Sequence, residues 1–329
     1  MATTTTSTPA LPYPEQDKLG PLGIKTSAIH DAAALRNALV RAFEAAAQDA
    51  RDAVGAVEKS PASAVHESRK ALRRARAILG LVAGALPKGE HRAVKGALQE
   101  ARRALSTVRD HAVAPETLAQ LTLDETDRGA ANRVLASAAE AMPPIAEIKQ
   151  LLAESAARAA AQAEALQAAL PHEVDWDVVS AGLRETYGEA RRAARAARRS
   201  KSWFHSWRRR SKELVYQLEL VSSHAGPRVN AIHSELAGVT DMLGPAVDLI
   251  MVREFISTFA QGIAPEEVDH LRDSIDVHLD DLMKSARKAA RDAFRLKPKK
   301  LEKRITKSVR RDLAPPDDGN GVHDVHEHE

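Results

Sequence analysis

From about residue 28 onward, apolar residues recur at spacings of three and four, the signature of amphipathic helices rather than strands. The pattern predicts helices over 28–57, 61–85, 88–110, 115–140 and 144–170. After Pro171 it restarts, giving 175–199, 202–223, 228–243, 245–260, 265–296 and 298–313. Ser60-Pro61 reads as an N-cap followed by proline at the first helical position. Pro87, Pro115, Pro143-Pro144, Gly226-Pro227, Gly244-Pro245 and Ala264-Pro265 fall at the breaks, where proline's missing donor costs least.

Composition agrees with an all-α chain. Alanine dominates, aromatics are 3%, and no alternating Val/Ile/Thr run demands a sheet. The absence of cysteine excludes disulfides, thiolate metal sites and a cysteine nucleophile. There is no run of 18 apolar residues and no signal-like N-terminus, so a cytoplasmic protein is expected. Residues 1–26, with their Thr run, read as a disordered arm and 314–329 as an acidic disordered tail. Two helical units, 27–170 and 171–313, lie between.

Charge changes the picture more than its sum suggests. The formal net charge is +3, but residues 312–329 hold six acids and no Lys or Arg, leaving 48 basic residues against 39 acidic in the remainder. Residues 184–212 carry eleven Lys or Arg and only Glu185 and Glu189. A field of that density steers anions.

These cations are periodic. His66, Arg69, Lys70 and Arg73 fall within about 100° on a helix, opposite Val65, Leu72, Ala75 and Ile78. His205, Arg208, Arg209 and Lys212 repeat the arrangement, with Trp203, Phe204, Trp207 and Leu214 on the packing side and Tyr216 continuing the stripe. Arg74 and Arg76 extend the first cationic segment. Further stripes are Lys95, Arg102 and Arg109; Arg184, Arg191, Arg195 and Arg198; and Lys284, Arg287, Lys288, Arg291 and Arg295. Solvated faces normally mix signs to gain i,i+4 pairs. Stripes so poor in acid point to a surface for a polyanion.

The halves also repeat. His66 precedes Arg109-Asp110 by an interval of 44 residues to the aspartate, and His205 precedes Asp248 by 43. An internally duplicated bundle with a pseudo-twofold axis follows. With these two histidine stripes, Arg109-Asp110, Tyr216-Gln217-Leu218-Glu219-Leu220 and the closing Leu296-Lys297-Pro298-Lys299-Lys300-Leu301, the chain over 27–313 resembles the CHAD domain family. The resemblance implies two pseudo-symmetric four-helix bundles around a basic central cavity. It also implies binding of inorganic polyphosphate, with association to polyphosphate granules. Val247 and Glu213 depart from the family pattern, which implies a weaker second half.

Catalysis and cofactors find no support in the sequence. His66-Glu67-Ser68-Arg69-Lys70 has Lys where a zincin motif needs its second His, so no metal site is expected. No phosphate loop or nucleophile elbow is present, and the stripes lack magnesium-holding carboxylates. The expectation is a non-enzymatic binder of polyphosphate. The alternatives are a nucleic-acid-binding module, which would need stacking aromatics beside its cations, or a phosphohydrolase or a regulatory partner of one.

Overall fold

The computed structural model describes residues 31–222 and 226–312. The expected N-terminal arm and acidic tail lie outside them. All eleven elements among the described residues are α-helices. In chain order these are α1 Ala32–Gly55, α2 Pro61–Leu81, α3 Lys88–Ala104, α4 Ser106–Ala119, α5 Glu125–Glu140 and α6 Ile145–Ala169. There follow α7 Trp176–Ala196, α8 Trp203–Leu220, α9 Pro227–Phe259, α10 Pro265–Ala293 and α11 Pro298–Asp312. No helix among the described residues is long and apolar enough to cross a membrane.

Local chemistry sets several starts. Ser60 Oγ accepts from Ser63 N at 3.3 Å with Pro61 at the first helical position, as expected from the sequence. Asp31 caps α1 and Asp124 caps α5. Two breaks differ from expectation. α4 runs through Pro115, and the interruption falls at Leu105 and again after Ala119. α9 runs unbroken through Gly244-Pro245. Each proline forfeits one bond, to the carbonyl of His111 or Asp241. Buried Val108, Ala114 and Leu118 in α4, and Leu243, Ala246 and Val247 in α9, keep each helix continuous. Packing outweighs the proline penalty at both places.

One apolar core runs through the molecule, from Leu35 and Phe43 to Leu301 and Val309. α1, α2, α3 and α6 pack on one another, and α7 packs on α8 and α11. α4 and α5 pack on α9 and α10, across the boundary expected at Pro171, and His111 meets the rings of Phe255 and Phe259 edge-on at 5.4 and 5.3 Å. α2 lies centrally against α7 and α8. Gly182 makes this approach possible: a Cβ there would stand 2.6 Å from the carbonyls of Gly80 and Leu81. Gln217 of α8 locks the same contact, donating Nε2 to Ala77 O at 2.9 Å.

Candidate functional site

The break at Leu105 ends the α3 ladder early and leaves the carbonyl of Arg102 open. Arg69 of α2 fills it, donating Nη1 to Arg102 O at 2.9 Å and to Ser106 Oγ at 3.4 Å. One helix end thus draws the first histidine stripe onto α3 and α4. From the other side α8 presents His205, Arg208 and Arg209.

Electrostatics show how closely these groups gather. Burial, then Arg102, Arg109 and Arg73, push the Arg69 guanidinium down to about 9. Burial, then Arg76, Arg73, Arg209 and Arg103, push Arg102 to about 10. Both remain charged at neutral pH. Arg209 is lowered by burial, then by Arg210 and Arg76. His205 is exposed at the start of α8, yet it lies below its ordinary value, first through desolvation by the helices around it and then through Arg209, Arg102, Arg208 and Arg109. Three segments distant in sequence therefore converge: Arg69, Arg73 and Arg76 from α2, Arg102 and Arg109 from α3 and α4, and His205, Arg208 and Arg209 from α8.

The acids around this cluster are committed. Arg109 donates to both Asp110, at 3.0 Å, and Asp248. Burial opposes its charge, but the two carboxylates outweigh burial and raise its pKa. Glu213 takes Arg210 at 2.9 Å and Arg76 at 3.6 Å, so this departure from the stripe is an internal counter-ion. By contrast, the buried Nε atoms of Arg76, Arg102 and Arg209 have no hydrogen-bond partner among the described residues. Buried donors left open beside like charges are costly unless something anionic meets them.

Other expected site residues take different positions. Lys70, Arg74 and Arg76 are 7%, 8% and 6% exposed, not an outer stripe, because α2 is covered on nearly every side. Lys70 pairs with Glu67, and Arg74 pairs with Asp49 while lying over the Tyr216 ring at 5.9 Å. Tyr216 is itself 3% exposed and belongs to the packing between helices. His66 is exposed at the start of α2. Lys212 reaches Asp241 of α9, Arg184 bonds Glu302 of α11 at 2.7 Å, and Lys284 pairs with Asp281. Their acid partners come mostly from other helices, so a single-helix projection shows stripes freer of acid than the folded surface. Lys95 lines a small cavity of mixed sign with His91, Glu185, Glu189 and Glu213. Lys288 is exposed. Trp203, assigned to the packing side, is 47% exposed because α8 begins there.

Arg191, Arg195, Arg198, Arg287 and Arg291 line a separate cavity with Trp207 and Phe294. Trp207 points away from Arg209 and His205 by about 160° around α8, so this cavity lies behind the helix that carries the second stripe. Sequence reading also missed a small clip between α5 and α10. The buried Asp127 accepts from Ser274 at 2.5 Å and sits 2.8 Å from His270 Nδ1, with Asp124 nearby. Only tertiary structure brings these residues together.

A family model described as the CHAD domain matches residues 33–257. The crystal structure of the CHAD domain from the plant Ricinus communis is similar in fold, with a TM-score of 0.58 and 19% identity. The match covers 83% of this chain and 96% of that one. None of the curated proteins matches.

Proposed function

The chain belongs to the CHAD domain family, and on that premise we propose that it binds inorganic polyphosphate, without transforming it, in the basic centre between α2, α3, α4 and α8. The observation that carries this reading is the convergence of Arg69, Arg73, Arg76, Arg102 and Arg209 from α2, α3 and α8, close enough to depress one another's pKa, with buried Nε donors of Arg76, Arg102 and Arg209 open beside them. A chain of non-bridging oxygens supplies acceptors to those donors and offsets the repulsion. Arginine forks grip such oxygens in pairs. The frame is already set by helix packing, so little order is lost on binding.

The residues divide their work. Arg109, neutralised by Asp110 and Asp248, and Arg69, tied to the α3 carbonyl, shape the wall. Arg73, Arg102, Arg208 and Arg209 supply the attraction, with Arg76, paired to Glu213, buried behind them. Phosphoryl transfer needs carboxylates free to hold magnesium beside the phosphate. Asp110, Asp248 and Glu213 are each held by arginine, which supports a binder rather than a phosphohydrolase.

One observation favours a nucleic-acid partner instead. Trp203 offers an exposed ring of the kind on which bases stack. It lies on the Trp207 side of α8, with no second exposed tryptophan or phenylalanine ring among the described residues. The two readings separate in a competition: long polyphosphate should displace single- and double-stranded DNA at equal phosphate concentration. Equal or stronger retention of DNA would favour the nucleic-acid reading.

A further inference from the structure

The cavity behind α8 has features that a solvated arginine patch does not need. It is about 150 Å³ in volume and is walled by Arg191, Arg195 and Arg198 of the α7 end and by Arg287 and Arg291 of α10, with Trp207 and Phe294 as apolar floor. No carboxylate lines it.

Two of the five arginines build the site. α7 and α10 both end here, and the negative ends of two helix dipoles would repel an anion. Each end is capped by the other helix. Arg191 of α7 donates Nε to Phe294 O, at the C-cap of α10, at 3.0 Å. Arg287 of α10 donates Nε and Nη2 to Ala197 O, at the C-cap of α7, at 3.2 and 2.9 Å. Arg287 also lies over the Phe204 ring at 5.2 Å, which fixes its plane. The reciprocal caps cover the two repulsive ends and hold two positive charges at the cavity wall.

The remaining three, Arg195, Arg198 and Arg291, are exposed and have no hydrogen-bond or ion-pair partner among the described residues. Helix C-termini attract cations, and Arg195 and Arg291 stand in the last turns of α7 and α10. With Arg191 and Arg287 already bonded to both C-caps, five guanidiniums on one cavity exceed what two helix ends require against mutual repulsion. From this geometry we infer that the cavity is a second anion site, separate from the central cluster, and that it takes a short condensed phosphate of about diphosphate size. Three open forks offer paired donors in number equal to the terminal oxygens of a diphosphate, and the cavity volume suits a compact anion rather than a long chain. This site does not depend on the central cluster binding polyphosphate, because α8 turns a different face to each.

The test uses the full chain and inorganic pyrophosphate in calorimetric titrations at low ionic strength. Arg195→Glu/Arg291→Glu alters two exposed side chains in the cavity, and Arg73→Glu/Arg209→Glu alters the centre. The wild type should show a pyrophosphate site that survives in the central variant and is weakened about tenfold or more in the cavity variant, the scale of losing a charge-assisted contact. Arg198→Glu, outside either helix, should weaken the same site. A cavity variant that titrates like the wild type, or a central variant in which no pyrophosphate site survives, overturns the inference. Long polyphosphate, titrated in parallel, reports separately on the centre: if the central variant binds it unchanged, the proposed function fails while the cavity site stands.

Discussion

Arg109 of α4 is bonded to Asp248 of α9, residues 139 positions apart that occupy comparable places after the two histidine stripes. The aspartate of one half thus neutralises the arginine of the other. Asp110, beside Arg109, completes a three-membered group at the edge of the cationic centre. Removing Asp248 leaves a partly buried guanidinium short of its main counter-charge, beside Arg69 and His205. Asp248→Ala should lower unfolding stability by about 1.5–3 kcal/mol, the range for hydrogen bonds to charged groups. A double-mutant cycle with Arg109→Ala measures the coupling by denaturant unfolding. Additive effects would show that the pair does not join α4 to α9 energetically.

The central packing of α2 gives a second prediction. At Gly182 any side chain meets backbone, which cannot swing aside, so Gly182→Ala should destabilise by about 1–3 kcal/mol. Gly96, inside α3, has nothing within 4 Å of a built Cβ, so Gly96→Ala should stabilise by up to about 1 kcal/mol. Thermal unfolding of the two variants should move in opposite directions. Similar shifts would mean that α7 does not press on α2 at Gly182.

These pairs mark where sequence stops being informative. Periodicity placed the helices and assigned Val65, Leu72, Phe204 and Trp207 to buried faces, because those choices are local. It missed the passage of α4 through Pro115 and of α9 through Pro245, where tertiary burial outweighs a local penalty. It also placed Lys70 and Arg74 with the first cationic stripe and Tyr216 with the second, although all three are buried. A helical projection gives an angle on one helix and says nothing of what stands opposite, and α2 has neighbours on several sides. Spacing alone put Arg76, Arg102 and Arg209 on separate helices, and a basic central cavity was expected only from the family resemblance. Their meeting depends on the break at Leu105, which no proline or glycine announces.

Charge reversal tests the centre directly. Arg73→Glu/Arg209→Glu should weaken binding of long polyphosphate by at least about tenfold, from about 1.5 kcal/mol or more for a lost charge-assisted contact. Helicity should be unchanged, since both side chains are only partly buried. Arg184→Glu, whose native partner is Glu302, serves as a control outside the cluster and should leave that affinity nearly unaltered. Equal losses from the centre and from Arg184 would indicate a diffuse field rather than a site.

Salt and pH separate two contributions to binding. If counterions leave the polyanion as arginines replace them, affinity should fall steeply and roughly linearly on a log–log salt plot. His205 adds a proton. In the free protein its pKa is held below 6.5 by partial desolvation, though the residue is exposed, and by Arg209, Arg102, Arg208 and Arg109. The folded, ligand-free state therefore favours neutral imidazole. The associated stability is present above 6.5 and is lost as pH falls through the lowered folded value; His91 and His233, both lowered first by burial, act in the same direction. His270, raised by its hydrogen bond to Asp127, acts in the opposite sense, so the His205 contribution is read by difference: acidification below 6.5 should lower the ligand-free Tm more in the wild type than in His205→Gln. Phosphate oxygens reverse the preference by favouring imidazolium, so binding takes up a proton and affinity rises as pH falls from above 6.5 to below it. His205→Gln should flatten that rise relative to the wild type while keeping the salt slope. Terminal phosphates of the ligand titrate equally in both titrations, so the difference between the two proteins isolates the imidazole. If His205→Gln retains the full pH response, the ligand does not reach the start of α8, and the arginines of α2 and α3 carry the binding without it.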